Sequence, residues 1–312
     1  MNKFTFFFPG QGSQSVGMMS GFGDSEIVKD TFIEASDILG VDFWAMATEP
    51  NERLNQTEHT QPLMLTAGVA TYRAFVQTQS NQNNALRANI HAGHSLGEYT
   101  ALVASEALSF ADALPLVKYR AEAMQNAVPE GIGAMAAILG LDDETVRAVC
   151  AEAAQNEVCE AVNFNSPGQV VIAGNKAAVE RGMELAKAKG AKRALALPVS
   201  VPSHCALMKP AAEKLAEYLK NVTINTPKIP VIHNADVQSY SDADKIKDAL
   251  VRQLYSPVRW AETVHAMHKM GVTNSAECGP GKVLAGLTKR ILAELPCAAL
   301  TSNEAIFEFI NQ

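Results

Sequence analysis

Nowhere in the 312-residue sequence do eighteen apolar residues follow one another, so no segment reads as a membrane-spanning helix. Cysteine is scarce: five residues, an odd number, are scattered along the chain. None has metal-ligand spacing, since Cys150 and Cys159 lack a second pair and His265 with His268 stands alone. That usage suits reduced thiols in a cytoplasm and predicts no metal site. Basic charge is not in excess either. With 26 Lys and Arg against 33 Asp and Glu, the net charge of −7 argues against nonspecific nucleic-acid binding. Internal repeats and low-complexity tracts are missing, and no small-residue cleavage site follows Met1-Asn2-Lys3-Phe4, so no export signal is expected. What remains is ordinary for a globular protein, 47% hydrophobic and 19% charged. The length suits one large domain carrying a smaller one.

The most informative stretch is Gly93-His94-Ser95-Leu96-Gly97, a match to the G-x-S-x-G nucleophile elbow. Ala88-Asn89-Ile90-His91-Ala92 before it is long enough for a buried strand. Leu96, Tyr99, Leu102 and Val103 after it recur at helical spacing. In a strand–turn–helix context the serine hydroxyl is lifted above the sheet edge, and the N–H groups that begin the helix can stabilise an oxyanion. The alternative is a serine that merely caps a helix.

Taken in order, Phe4-Thr5-Phe6-Phe7-Phe8 reads as a strand buried on both faces. It runs into Pro9-Gly10-Gln11-Gly12-Ser13-Gln14, a glycine-rich turn where open α/β sheets bind ligands. The Gln11 N–H is a candidate oxyanion donor, and a ligand-free turn is the alternative. Residues 25–40 and 60–78 read as helices, with Gln61-Pro62 opening the second in its first turn. Ser80 to Asn84 reads as a polar loop feeding the elbow strand. Ser109 with Asp112 caps a further helix running to about Ala127, with Leu116, Val117, Met124 and Val128 in its apolar stripe. Arg120 falls in that same stripe. It either snorkels or pairs with a structural carboxylate, or it clamps a substrate carboxylate.

From about 130 to 198 the pattern changes. Strand Ala134–Leu139, helix Asp142–Gln155, strands Val158–Asn163 and Gln169–Ala173, a helix from an Asn175 cap to Lys189, and strand Arg193–Leu197 give the order βαββαβ. That is a ferredoxin-like split unit. The expected fold is therefore α/β, with a large subdomain built on a parallel sheet (1–129 and 199–312) and an inserted ferredoxin-like one (130–198). Beyond the insertion, Val199-Ser200-Val201-Pro202-Ser203-His204 reads as extended and is followed by a helix from Met208 to Asn221. Pro230–Asn234 is a strand, Asp242–Leu254 and Pro257–Met270 are helices, Val272–Cys278 is a strand, a helix runs through Leu292, and Pro296–Leu300 is a last short strand.

A serine nucleophile needs a base, and seven histidines are available. His94 adjoins Ser95 and must point away from the same turn. His59, His91, His233, His265 and His268 lie in helical or strand contexts. His204, held behind Pro202, is the best base if the elbow is real.

The motifs Pro9–Gln14, Gly93–Tyr99, Tyr119-Arg120-Ala121, Val201–His204 and Glu277-Cys278-Gly279-Pro280-Gly281 resemble, in order and over nearly the whole chain, those of malonyl-CoA:acyl carrier protein transacylases. The resemblance implies an α/β-hydrolase-like large subdomain with a ferredoxin-like insertion. It implies that Ser95 takes the malonyl group, that His204 is the base, and that Gln253 orients His204 through its main-chain carbonyl, with no acidic third member. Gln11 and Leu96 would supply oxyanion N–H groups. Arg120 would bind the malonyl carboxylate, with Met124, His94 and Val201 beside it. The expected substrates are malonyl-CoA and the phosphopantetheine thiol of acyl carrier protein, with no bound cofactor. A cytoplasmic monomer is expected, engaging neither membrane nor nucleic acid.

The basic cluster Lys187, Lys189, Lys192 and Arg193 stands out against the net acidity. It is either a solvated helix face or a dock for an acidic carrier or CoA phosphates. A serine thioesterase or esterase is the nearest rival. It would need an acid between Ser95 and a near-terminal histidine, whereas 108 residues follow His204 and the sequence has no His-Gly pair. A noncatalytic carrier-binding module is the rival from another class.

Overall fold

A computed structural model describes residues 3–82, 86–199 and 201–311. In chain order the elements are β1 (Lys3–Phe8), α1 (Glu26–Leu39), α2 (Phe43–Thr48), α3 (Thr57–Asn81), β2 (Ile90–Gly93), α4 (Gly97–Ala104) and α5 (Phe110–Gln125). Next come β3 (Gly133–Leu139), α6 (Asp143–Ala154), β4 (Cys159–Ser166), β5 (Gln169–Asn175), α7 (Lys176–Ala188) and β6 (Arg193–Ala196). The chain continues through α8 (Lys209–Leu219), β7 (Val231–Ile232), α9 (Ala243–Gln253), α10 (Trp260–Lys269), β8 (Val272–Glu277), α11 (Val283–Ile291), β9 (Cys297–Ala299) and α12 (Asn303–Ile310).

Five strands form a parallel sheet in the order β7-β2-β1-β8-β9. Strand β1 lies in the middle, and its near-continuous apolar run follows from being covered on both faces. Phe4, Phe6 and Phe8 point into the larger core, where Phe6 meets Phe75 edge to face at 4.8 Å between ring centroids. Phe7 points the other way and packs edge to face on Trp260 at 5.2 Å. Because β1 has β2 on one side and β8 on the other, successive connections diverge there. The carboxyl ends of these strands open into a crevice, the place where open α/β sheets bind ligands.

The other sheet is antiparallel, in the order β4-β5-β3-β6, with α6 and α7 packed on it around a core of its own that includes Ile138, Val149, Ile172 and Val179. This is the βαββαβ order read from the sequence. Its outer strand β4 is not left bare. The Phe164 N–H donates to the Val258 carbonyl at 3.0 Å, and the Val258 N–H donates to the Val162 carbonyl at 2.8 Å. Those bonds tie the antiparallel sheet to the segment before α10 and protect an edge.

Several elements depart from expectation. Helix α3 begins at Thr57, so Pro62 lies inside it rather than in its first turn. Burial of every residue from Thr60 to Thr71 carries the helix past the donor that proline lacks. The same helix absorbs Ser80 and Asn81 from the expected loop, while Asn83 and Asn84 lie outside the described residues. Asn175 precedes α7 without capping it by its side chain. Its Oδ1 accepts instead from the Val158 N–H at 2.8 Å, which fastens the start of β4. Helix α10 starts at Trp260, later than the sequence suggests, because Val258 is committed to β4. Ser200 lies outside the described residues. The run does not reach His204 extended: there the backbone turns to φ 68°. Helices α2 and α12 were not foreseen.

Candidate active site

The elbow is built by close approach. A Cβ on Gly93 would sit 1.9 Å from the Gly97 carbonyl oxygen, and one on Gly97 would sit 2.0 Å from the Phe8 carbonyl oxygen. Only glycine allows strand β2, the turn and β1 to come this close. Between them Ser95 adopts φ 51°, a left-handed conformation that costs a residue other than glycine ~1–3 kcal/mol. Asn234, just past β7, holds it there. Its Oδ1 accepts from the Ser95 N–H at 2.7 Å, and its Nδ2 donates to the Gly93 carbonyl at 2.7 Å.

The Ser95 Oγ lies 2.8 Å from His204 Nε2, and His204 Nδ1 lies 2.7 Å from the Gln253 main-chain carbonyl. A carbonyl can only accept, so Nδ1 carries the proton and Nε2 faces the hydroxyl as an acceptor. Burial first, then the charge of Arg120, bring the His204 imidazole down to about 3 from its ordinary 6.5. The ring is therefore a neutral base at neutral pH. No carboxylate contacts it among the described residues; its orienting partner is a main-chain group.

Arg120 is buried beside this pair, only 1% exposed. Its Nη1 donates to Gln61 Oε1 at 2.6 Å, and its Nη2 donates to Gln253 Oε1 at 2.9 Å and reaches the Ser95 Oγ at 3.4 Å. Its Nε has no partner, and no carboxylate lies within ion-pair distance of the guanidinium among the described residues. A buried cation that lines the cavity with no carboxylate partner is suited to binding an anion.

Gln11, Leu96, Met124, His94 and Val201 line the same cavity of about 120 Å³ as Ser95, Arg120 and His204. His94 has its Nε2 2.8 Å from Asn165 Oδ1 and its ring 5.5 Å from that of Trp260. The Ser95 N–H is taken by Asn234, so the next N–H, that of Leu96, is the first one open at the start of α4. The Gly10-Gln11 turn packs on the elbow, where a Gly10 Cβ would lie 3.6 Å from the Leu96 nitrogen. Neither the Gln11 nor the Leu96 N–H has an intramolecular acceptor among the described residues. The sequence reading named these cavity residues, and it also named Gln253, which lies behind His204 and outside the cavity lining. It missed Asn234 and Gln61, although a polar residue directly after a short buried strand is a signal of the carboxyl edge.

Lys189, Lys192 and Arg193 are exposed and do not line the cavity. Lys187 pairs with Glu184 at 2.9 Å on the surface of α7. Of the other histidines, His91 is enclosed in the parallel sheet and His233 is buried against Glu98. Among the described residues no cluster of His, Cys, Asp and Glu could hold a metal ion. None of their helices is long and apolar enough to cross a membrane.

A serine on a strand–helix elbow, a neutral histidine at hydrogen-bond distance and two N–H groups without acceptors form an arrangement suited to acyl transfer. Consistent with it, residues 5–301 match the acyl transferase domain family, and the chain belongs to that family. It is 56% identical over 308 residues to the malonyl CoA-acyl carrier protein transacylase of Escherichia coli (strain K12), covering 98% of each chain. With the enzyme of the same name from Bacillus subtilis (strain 168) the identity is 43%, over 98% of this chain and 96% of that one. Among solved structures, an acyl-carrier-protein S-malonyltransferase from Burkholderia pseudomallei 1710b superposes with a TM-score of 0.95 at 57% identity, covering 99% and 100% of the two chains. A malonyl-transacylase solved in complex with a type II PKS acyl-carrier protein also superposes at 0.95, with 49% identity and 99% of each chain covered.

Proposed function

We propose that this chain moves a malonyl group from CoA to the phosphopantetheine thiol of acyl carrier protein through a malonyl–Ser95 intermediate. The observation that carries the reading is the Ser95–His204 pair set 2.8 Å apart beside a buried guanidinium that has no carboxylate partner among the described residues. His204 takes the Ser95 proton as the oxygen attacks the thioester carbonyl. The Leu96 and Gln11 N–H groups hold the oxyanion, and CoA leaves as a thiol after the imidazolium returns the proton. The carrier thiol then repeats these steps on the acyl-serine, giving ping-pong kinetics. Arg120 receives the free malonyl carboxylate on its open edge, and the small cavity limits the acyl group to a few carbons.

The bounds 1–129 with 199–312 for the catalytic part and 130–198 for the inserted part belong to the same proposal. So do docking of the carrier or CoA phosphates at Lys189, Lys192 and Arg193, and a cytoplasmic monomer using no bound cofactor. The test is the acyl-enzyme. Malonyl-CoA should label Ser95 stoichiometrically, and the carrier thiol should discharge it faster than water does. Discharge by water at an equal rate would favour a thioesterase. In Arg120→Ala, use of malonyl thioester should fall and that of acetyl thioester should rise relative to it; an unchanged preference sinks the clamp.

A further inference from the structure

Behind the reacting atoms lies a carboxylate that the chemistry above does not use. Glu98, in the first turn of α4, is fully buried. Its Oε1 lies 2.6 Å from His233 Nδ1, and its Oε2 accepts from the Asn234 N–H at 2.9 Å and from Gln253 Nε2 at 2.9 Å. The same Gln253 amide donates to the Ser95 carbonyl at 2.9 Å and accepts from Arg120 Nη2 at 2.9 Å. The direction of this chain is forced. A carboxylate only accepts and a guanidinium only donates, so the amide between them must turn its NH₂ to Glu98 and its oxygen to Arg120. Hydrogen bonds aligned in this way polarise one another in a dry interior.

We propose that Glu98 is the counter-ion of Arg120, acting across the Gln253 side-chain amide, and so a positioning residue for recognition of the acyl carboxylate. The spacer has a purpose. A carboxylate bonded directly to Arg120 would occupy the guanidinium edge that the substrate must take. One amide further back, the charge offsets burial of the cation and leaves that edge open. Glu98 also fixes the main chain of Asn234, whose side chain holds the Ser95 turn, so one buried charge braces both the elbow and the clamp. The inference rests on Arg120 as the carboxylate clamp.

Glu98→Gln tests it, because the amide keeps the size of the side chain and can still accept from Asn234 and Gln253 while its charge is gone. Its NH₂ then faces a His233 ring able to accept at Nδ1. Thermal unfolding of Glu98→Gln, Arg120→Met and the double variant forms the cycle. Alone, Glu98→Gln should lower Tm by roughly 5 °C or more. In the Arg120→Met background the same change should be neutral or raise Tm, since it then removes a buried charge that has lost its partner. Added malonate dianion should raise the Tm of Glu98→Gln more than that of the parent, and KM for malonyl-CoA should fall while kcat does not rise. Equal Tm losses in the two backgrounds, or a parent-like KM and malonate response, overturn the proposal. If Glu98→Gln fails to fold, a folded double variant supports it, and a double variant that fails while Arg120→Met folds overturns it. Failure of the clamp itself would show separately, as an unchanged malonyl preference in Arg120→Ala.

Discussion

His204, the proposed base, is kept uncharged. Burial and the neighbouring guanidinium lower its proton affinity, so as pH falls the imidazole stays unprotonated well past 6.5 and is lost as a base only as pH approaches about 3. The kcat/KM profile for malonyl-CoA in the half-reaction should therefore show no acid limb from this group between pH 5 and pH 8. A limb near 6.5 assigned to His204 would contradict the environment described. Asn234 acts on the same chemistry from the other side of the serine. In Asn234→Ala the Ser95 N–H and the Gly93 carbonyl lose their partners, which should cost ~1–3 kcal/mol in unfolding free energy. The acylation rate should fall with it, because the strained Ser95 turn loses its clamp; a stopped-flow acylation rate equal to the parent's would rule the clamp out.

At the scale of an element, β2 carries both the elbow and a buried titratable ring. His91 packs on Phe6, Phe8 and Tyr72, neither of its ring nitrogens has a partner, and burial lowers it to about 3. The unfolded chain binds a proton near 6.5 that the folded one refuses. Stability therefore declines as pH drops from about 6.5 toward 3, by up to ~1.4 kcal/mol per pH unit for each such histidine. His204 adds a second slope of the same sign over the same range. His91→Phe, close in shape and with no proton to take up, should flatten the acid side of the stability curve and move acid unfolding to lower pH. An unaltered dependence of chemical-denaturation midpoints on pH would refute this account of β2. Glu277 shows the opposite case at the end of β8. Burial outweighs its bonds to the start of α11 and raises its carboxyl to about 7, although it accepts from the Ala285 N–H at 2.8 Å.

Across the whole molecule the two sheets keep separate main cores, and a small cluster of Met135, Val162, Val171, Ala173 and Cys205 joins the antiparallel unit to the segment that carries His204. Met135, Asn163 and Leu197 from the antiparallel unit line the same cavity as Ser95 and His204 of the larger one. An acyl-carrying arm is expected to enter between them. Lys189, Lys192 and Arg193, on the outer side of the antiparallel unit, are the cations proposed to receive an acidic carrier. Reversing their charge should raise KM for the carrier, weaken its salt dependence and leave acylation by malonyl-CoA largely intact when the CoA phosphates do not use these residues. An identical salt response in parent and variant would assign these lysines to solvent.

The sequence by itself determined the elements that announce themselves locally: a phenylalanine-rich strand, glycines spaced for a sharp turn, caps such as Ser109 and Asp142, and the alternation of the antiparallel unit. It also singled out Ser95, His204 and Arg120, because an apolar stripe makes a charge conspicuous and an elbow demands a base. Tertiary structure decided what depends on distance through space. Pro62 is carried inside a helix by burial, and Val258 is drawn away from α10 to cover β4. Asn234, Gln61 and Glu98 look like ordinary polar residues in the sequence. They find their partners only when the fold brings distant positions within hydrogen-bond reach, 59 residues apart for Gln61 and Arg120 and 139 for Ser95 and Asn234. Hydrophobic periodicity reports which face of an element is buried; it carries no record of which polar atoms meet once those faces close.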